Sequence, residues 1–266
     1  MSLVEIIVLA IVQGMTEFLP VSSSGHLILV PALFGWEDQG LAFDVAVHVG
    51  TLLAVVAYFR VELAQMTLAV LKLGRGDQTT QEHFRLALLI VLATIPVGLA
   101  GLFGRDAIET YLRSPVLIAA TTAVFGVLLW VSSRWMAGTR SVTRIGVVDA
   151  LVIGTGQALA LVPGTSRSGI TMTMGMARGL SADAAARFSF LMSIPVIVLA
   201  GGWEALKLAR SEVSVDVTAI ALGTLVSALF AYATIAFFLK VLARIGMLGF
   251  MVYRLALAAV ILYVFA

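Results

Sequence analysis

The sequence contains no cysteine. That excludes disulfides, thiolate metal sites and cysteine nucleophiles. Charge is scarce as well: Asp, Glu, Lys and Arg make up 12% of the 266 residues, against about 25% in an ordinary soluble domain. A soluble chain that is 61% hydrophobic would have too little polar surface to cover itself. A bilayer removes that difficulty, and the mean hydropathy of +1.06 fits one. The net charge is only +2, and the Lys and Arg residues are scattered rather than patched, so no nucleic-acid partner is expected. The first residues, MSLVEIIVLAIVQGMTEF, lack a basic leader and an A-x-A cleavage site, so they are expected to belong to the mature fold rather than to a cleaved signal peptide.

What is present is long apolar runs. A spanning helix needs about 20 mostly apolar residues. Six segments qualify: Phe43–Phe59, Leu86–Phe103, Val116–Trp135, Phe188–Leu206, Val217–Leu239 and Met247–Ala266. Two other apolar stretches are interrupted. Val4–Ile11 runs into QGMTEFLPVSSSGHL and then Ile28–Phe34, and Val147–Ile153 runs into GTGQALALVPGTSRSGITM and then Met174–Leu180. Broken backbone is tolerated at membrane depth only when it is buried in protein or lines a wet cavity. Both stretches therefore read as re-entrant helix–loop–helix segments.

The two interruptions resemble each other. Gln13 to Gly25 and Gln157 to Gly169 each run twelve positions, with a central Pro and a Ser/Thr-rich turn ending in Ser-Gly. Each half then supplies three spans, an odd number that forces the second half to insert upside down. The expected fold is an all-α integral membrane protein: one membrane domain over 1–266, an inverted repeat of halves at about 1–137 and 145–266, with about six transmembrane helices plus two re-entrant segments. In such folds the broken segments meet near the midplane.

Orientation follows from the positive-inside bias. The loops near 60–85, 134–146, 178–187 and 240–246 carry eleven basic residues (Arg60, Lys72, Arg75, Arg85, Arg134, Arg140, Arg144, Arg178, Arg187, Lys240 and Arg244). The opposite side carries four: Arg105, Arg113, Lys207 and Arg210. Both termini are then expected outside, leaving Arg167 and Arg254 at membrane depth.

Ionisable residues at that depth cost about 2.5–3.5 kcal/mol on insertion scales and mark function by default. The first interruption offers Glu17, His26, Ser22, Ser23 and Ser24; the second offers Arg167 flanked by Ser166 and Ser168, with Thr165 and Thr171 nearby. An acid, a histidine, hydroxyls and a guanidinium in one pocket suit phosphoryl transfer. Arg recognises phosphate through two N–H groups at fixed charge, and Ser/Gly turns at helix starts offer backbone N–H groups to phosphate oxygens. A carboxylate can hold Mg²⁺ or another hard cation together with diphosphate oxygens. A hydroxyl or a water can attack phosphorus, with His26 or Glu17 handling the proton. Plainer roles compete: serines can satisfy broken backbone, His26 can be a structural hydrogen-bonding residue, and Glu17 can relay protons or pair with Arg167. His48 reads as packed or as polar glue, Arg254 as internally paired or snorkelling, Asp44 as interfacial, and Asp149 lies near the mouth of the second segment. On these residues alone the chain is an anion-handling membrane protein with a midplane site, with enzyme and transporter both open.

At the same residues the sequence closely resembles the undecaprenyl-diphosphate phosphatase family of bacteria, the bacitracin-resistance type, over essentially the whole chain. The family's (Glu/Gln)-x-x-x-Glu run followed by Pro-Val-Ser-Ser-x-Gly-His appears from Gln13 through Glu17, Pro20, Ser22, Ser23 and Gly25 to His26. Its Pro-Gly-x-Ser-Arg-Ser-Gly-x-Thr run appears from Pro163 through Ser166, Arg167 and Ser168 to Thr171. The resemblance implies removal of the terminal phosphate of undecaprenyl diphosphate, which recycles the lipid carrier for the cell wall and gives bacitracin resistance. It further implies a divalent cation (Mg²⁺ or Ca²⁺), the bacterial inner membrane, and an active site open to the outer face. Glu17 and Gln13 would sit at the metal and diphosphate. His26 and Ser23 would be the acid/base and nucleophile candidates. Arg167 would clamp the diphosphate with Ser22, Ser166, Ser168 and Thr171. Besides its polyprenyl diphosphate substrate and membrane lipids, a second copy in a homodimer is the partner expected. Gln13 stands where the family often has Glu, and an amide cannot act as a base, so Glu17 must carry more of that work. The vanadium-peroxidase-like lipid phosphatases are set aside. They need a His six positions after the motif Arg, where Thr173 stands, and an Arg-Pro dipeptide, which is absent. The competing class is a secondary transporter or lipid flippase with an inverted-repeat fold.

Overall fold

The computed structural model describes residues 1–112, 114–210 and 216–265. Arg113, counted above on the sparsely charged side, and Ala266, the end of the last expected span, lie outside the described residues. The helices are α1 (Leu3–Thr16), α2 (Ser23–Phe34), α3 (Gly40–Tyr58), α4 (Arg60–Leu71), α5 (Gln78–Tyr111), α6 (Pro115–Trp135), α7 (Val147–Ala158), α8 (Arg167–Ala177), α9 (Ala182–Ala209), α10 (Val217–Ile245) and α11 (Leu248–Phe265). Among the described residues there is no β-strand beyond one isolated bridge between Arg140 and Leu180.

Six of these helices, α3, α5, α6, α9, α10 and α11, are long and apolar enough to cross a membrane. They are the six expected spans, each extended or trimmed at its ends. The remaining helices are short. With 14, 12, 12 and 11 residues, α1, α2, α7 and α8 reach about 17–21 Å at 1.5 Å per residue, well short of the roughly 30 Å hydrocarbon core. Each interrupted stretch is therefore a pair of half-length helices around a turn. The basic stretch 60–85, expected as loop, instead contains α4. Its 12 residues carry Arg60 and Glu62, so no hydropathy window reveals it, yet Met66 and Ala69 are buried and α4 packs on α5.

The two turns share one construction. Ser22 and Ser166 both adopt positive φ, 74° and 69°, a backbone state that costs a non-glycine residue energy and concentrates at functional sites. Each caps the helix that follows: Ser22 Oγ accepts from the Gly25 amide at 3.4 Å, and Ser166 Oγ accepts from the Gly169 amide at 3.2 Å. This capping satisfies N–H groups that a helix start leaves orphaned.

The halves interlock. α1 packs against α10 and α7 against α5, so each broken segment seats on a span of the other half; α3 also lies along α10, and α6 along α11. Small residues permit this approach, as is common between membrane helices. A Cβ added at Gly154 would meet the Ala93 carbonyl oxygen at 2.3 Å, and one at Gly50 the Thr224 carbonyl oxygen at 2.3 Å.

Three of the four loops assigned to the basic side, 60–85, 134–146 and 178–187, are joined to one another at one end of the bundle. Arg85 donates to the Thr143 carbonyl. Arg140 donates to the Arg178 carbonyl at 2.7 Å and shares Asp149 with Arg178. Arg187 pairs with Glu62 at 2.9 Å.

Candidate functional site

The two turns meet on one carboxylate. Glu17 follows the last turn of α1, and the fully buried Phe18 beside it packs edge-on against Phe190 of α9 at 5.2 Å. That packing fixes the carboxylate inside the protein. One oxygen, Oε1, accepts from Arg167 Nη2 at 2.8 Å. The other, Oε2, accepts from Gln13 Nε2 and from Ser23 Oγ, each at 2.9 Å, and stands 3.8 Å from His48 Nε2. Ser23 is the first residue of α2 and Arg167 the first residue of α8. Both helix starts, with their partial positive charge, thus converge on the same acid. The Arg167 guanidinium also lies over the Phe18 ring, 5.7 Å from its centre.

A cavity of about 300 Å³ opens at this pair. Glu17, Asp44, His48, Gln157, Arg167 and Glu204 supply its polar groups, and Leu41, Val45, Val97, Val196, Ile197 and Ala200 its apolar wall. A small set of convergent polar groups in an apolar wall is the usual form of a ligand site. Here the polar end suits an anionic head group and the wall suits a hydrocarbon chain.

The other expected site residues lie around this centre rather than on the cavity. His26 is buried, with Nδ1 at 2.7 Å from the Ser22 carbonyl and Nε2 at 2.5 Å from the Tyr253 hydroxyl. Ser22 caps α2, and Ser166 caps α8 with Oγ 3.2 Å from Ser168 Oγ. Ser168 donates to the Leu19 carbonyl at 2.9 Å, tying the second turn to the first. Thr171 bonds the Arg167 carbonyl and Ser189 Oγ, and so steadies the turn of α8 that carries Arg167.

Arg254 is internally paired, as one of its two sequence readings holds. It is fully buried and donates to the carbonyls of Thr122, Pro20, Gly164 and Thr165, bracing both turns from behind. His48 is not merely packed: it lines the cavity beside Glu17. Asp44, expected at the interface, lines the cavity too and accepts from Gln39 at 2.9 Å. Both sit on α3 four residues apart, one helical turn, and that spacing was the available signal. Asp149 belongs to the basic-side clamp with Arg140 and Arg178. Gln157, in the sequence only a marker of the repeat, is a wall residue of the cavity.

Residues 6–260 match the model of the family described as bacitracin resistance protein BacA. The chain belongs to that family. It is 56% identical to undecaprenyl-diphosphatase 2 of Stutzerimonas stutzeri (strain A1501), with 100% of this chain and 99% of that protein aligned. It is 54% identical to an undecaprenyl-diphosphatase of Nitrosococcus oceani over 100% of both chains, and 53% identical to one of Teredinibacter turnerae over 98% of both. The family match spans both turns, so Glu17, Ser23 and Arg167 all fall within it.

Proposed function

We propose that this membrane protein hydrolyses undecaprenyl diphosphate to undecaprenyl phosphate and inorganic phosphate, recycling the lipid carrier of cell-wall synthesis. The observation that carries the reading is the convergence of Ser23 and Arg167 on Glu17, at 2.9 and 2.8 Å. Nucleophile, base and phosphate clamp then occupy one site, and full-length relatives carry the name of this activity.

In this mechanism the diphosphate enters the polar end of the cavity, and the prenyl chain leaves along its apolar wall. Arg167 turns Nη2 from Glu17 and Nη1 from the Ser189 carbonyl to the phosphate oxygens, where two parallel charge-assisted bonds orient the terminal phosphorus. Ser23 Oγ attacks that phosphorus while its proton passes to Glu17 Oε2, already its acceptor. The bridging P–O bond breaks and undecaprenyl phosphate leaves. Water then hydrolyses the phosphoserine, releasing phosphate and restoring the serine. His26, held between the Ser22 carbonyl and Tyr253, positions the start of α2 rather than taking the proton.

Among the described residues no group of three or more His, Cys, Asp or Glu side chains forms a metal site. The donors present nevertheless fit a hard cation that arrives with the substrate: Glu17 offers a carboxylate, and Gln13 Oε1 is buried without a hydrogen-bond partner. Mg²⁺ commonly binds through one or two carboxylates plus phosphate oxygens. Glu17 and Gln13 would hold Mg²⁺ or Ca²⁺, and the ion would neutralise charge on the diphosphate.

The site is placed on the outer face, with both termini outside, on the strength of the basic loops gathered at the opposite end. The absence of cysteine makes a direct check possible. In intact cells an impermeant thiol reagent should label Ser24→Cys, and should label Thr143→Cys only after permeabilisation. The reverse pattern would overturn the orientation. For the activity, purified protein in detergent should release phosphate from undecaprenyl diphosphate with Mg²⁺ or Ca²⁺ and not with chelator, and folded Glu17→Ala and Arg167→Ala should not. Detergent leaves no compartments, so release there separates an enzyme from a transporter; folded wild-type protein that releases nothing under any cation would sink the reading.

A further inference from the structure

Gln157 is fully buried, forms part of the cavity wall with Glu17, His48 and Arg167, and has no hydrogen-bond partner at either Oε1 or Nε2. Native proteins rarely leave buried polar atoms unmet, because the desolvation cost is not recovered. An amide in this state, at a cavity beside an ion pair, has a donor and an acceptor to offer a ligand.

Its counterpart in the first half is Gln13, also fully buried. Gln13 spends its Nε2 on Glu17, at 2.9 Å, and keeps Oε1 unpartnered. The open groups contributed by the two amides are therefore two acceptors, Gln13 Oε1 and Gln157 Oε1, and one donor, Gln157 Nε2. A bare anion could satisfy only the donor. A bare cation could satisfy only the acceptors. A diphosphate carrying its own divalent cation satisfies both kinds.

We infer that Gln157 is a head-group-binding residue, its Nε2 donating to a diphosphate oxygen and its Oε1 facing the cation or a water on it, so that the site takes diphosphate and cation as one unit. This rests on the proposed reading of the cavity as a diphosphate site, and gives the second repeat a neutral contact besides Arg167.

The test uses farnesyl methylenediphosphonate, a prenyl diphosphonate that cannot be hydrolysed, titrated calorimetrically into the purified full chain in detergent. Wild-type protein should bind it at least about tenfold more tightly with Mg²⁺ than with chelator. A hydrogen bond to a charged group corresponds to about ten- to hundredfold in affinity, so Gln157→Leu should lose that much in Mg²⁺ and show a smaller Mg²⁺ effect. Its thermal midpoint should equal or exceed that of wild type, because two unmet polar atoms are gone. Gln157→Met keeps the length and covers poor packing of the leucine; without donor or acceptor it should weaken binding by the same factor. Unchanged affinity in the folded variants, or wild-type binding indifferent to Mg²⁺, would overturn the inference. Phosphate release is measured in parallel. Release that persists alongside indifferent variants defeats the Gln157 inference alone. No release by wild type, with Gln157-dependent binding intact, defeats the hydrolytic reading alone.

Discussion

The turn at 17–25 and the turn at 161–169 share one capping geometry and carry opposite chemistry. Both place a positive-φ serine before a helix, at φ 74° and 69°, and cap that helix on a glycine two residues beyond its first position. Both add a second serine near the first, at 3.3 and 3.2 Å. At the first helical position, however, one half has Ser23 and the other Arg167. Where one has Glu17 the other has Leu161, and where one has His26 the other has Ile170. The repeat supplies two equivalent scaffolds that present helix starts to a common centre; divergence at a few positions turns that centre into an acid, a hydroxyl and a cation. A symmetric pair of either turn would bring together two acids or two guanidiniums, and like charges at that range repel.

The strongest way to break the comparison is to remove the acid from one half and place a polar group at its counterpart. Glu17→Gln should lower phosphate release by about 100- to 10,000-fold, the usual contribution of a positioned base. Leu161→Gln should cost less than about tenfold, since that side of the repeat supplies no proton acceptor. Equal losses would show that the halves are not chemically divided.

Next in size is the clamp. Arg167→Lys keeps the charge but loses the planar fork that engages two phosphate oxygens in parallel. Release should fall by about 100-fold, on the scale of losing one oriented donor to a developing charge. A lysine variant with wild-type kcat and KM would reduce Arg167 to a counter-charge for Glu17.

The scaffold itself can be broken where the halves interlock. Gly50→Val and Gly154→Val drive side chains into the Thr224 and Ala93 carbonyls, and overpacking of this kind costs about 1–3 kcal/mol. Both should lower the thermal midpoint in detergent, one at the α3–α10 contact and one at α7–α5. No shift in either would mean the helices are not held as closely as the structure places them.

The smallest expected effect sharpens the comparison most finely. Ser168 is buried and donates to the Leu19 carbonyl, whereas its counterpart Ser24 is exposed. Ser168→Ala should cost about 1 kcal/mol, the net value of one hydrogen bond, and Ser24→Ala less than about 0.5 kcal/mol, as for surface changes. Chemical denaturation in mixed micelles reads both. Equal losses would show that the cross-turn bond contributes nothing.

Membrane residence, the six spans, the two interruptions and their likeness were legible from residue pattern, because hydrocarbon leaves a chain few alternatives to helices about 20 residues long. Glu17, Ser23 and Arg167 were legible because charge and hydroxyl at membrane depth need a reason, and because two motif runs carry them. Packing decided the remainder. Only the fold shows that Ser23 reaches Glu17 while His26 turns to Tyr253, that Asp44 and His48 of α3 face the cavity, that α4 is a helix, and that Arg254 braces both turns from beneath. Only the fold reveals Gln157 as a wall residue whose side-chain amide has no partner. Sequence determines which segments must be helical and which groups cannot rest in lipid, since those follow from local hydropathy and charge. Which of those groups touch depends on contacts between residues 150 or more positions apart, such as Arg167 on Glu17 and Arg254 on Pro20, and those exist only once the two halves have interlocked.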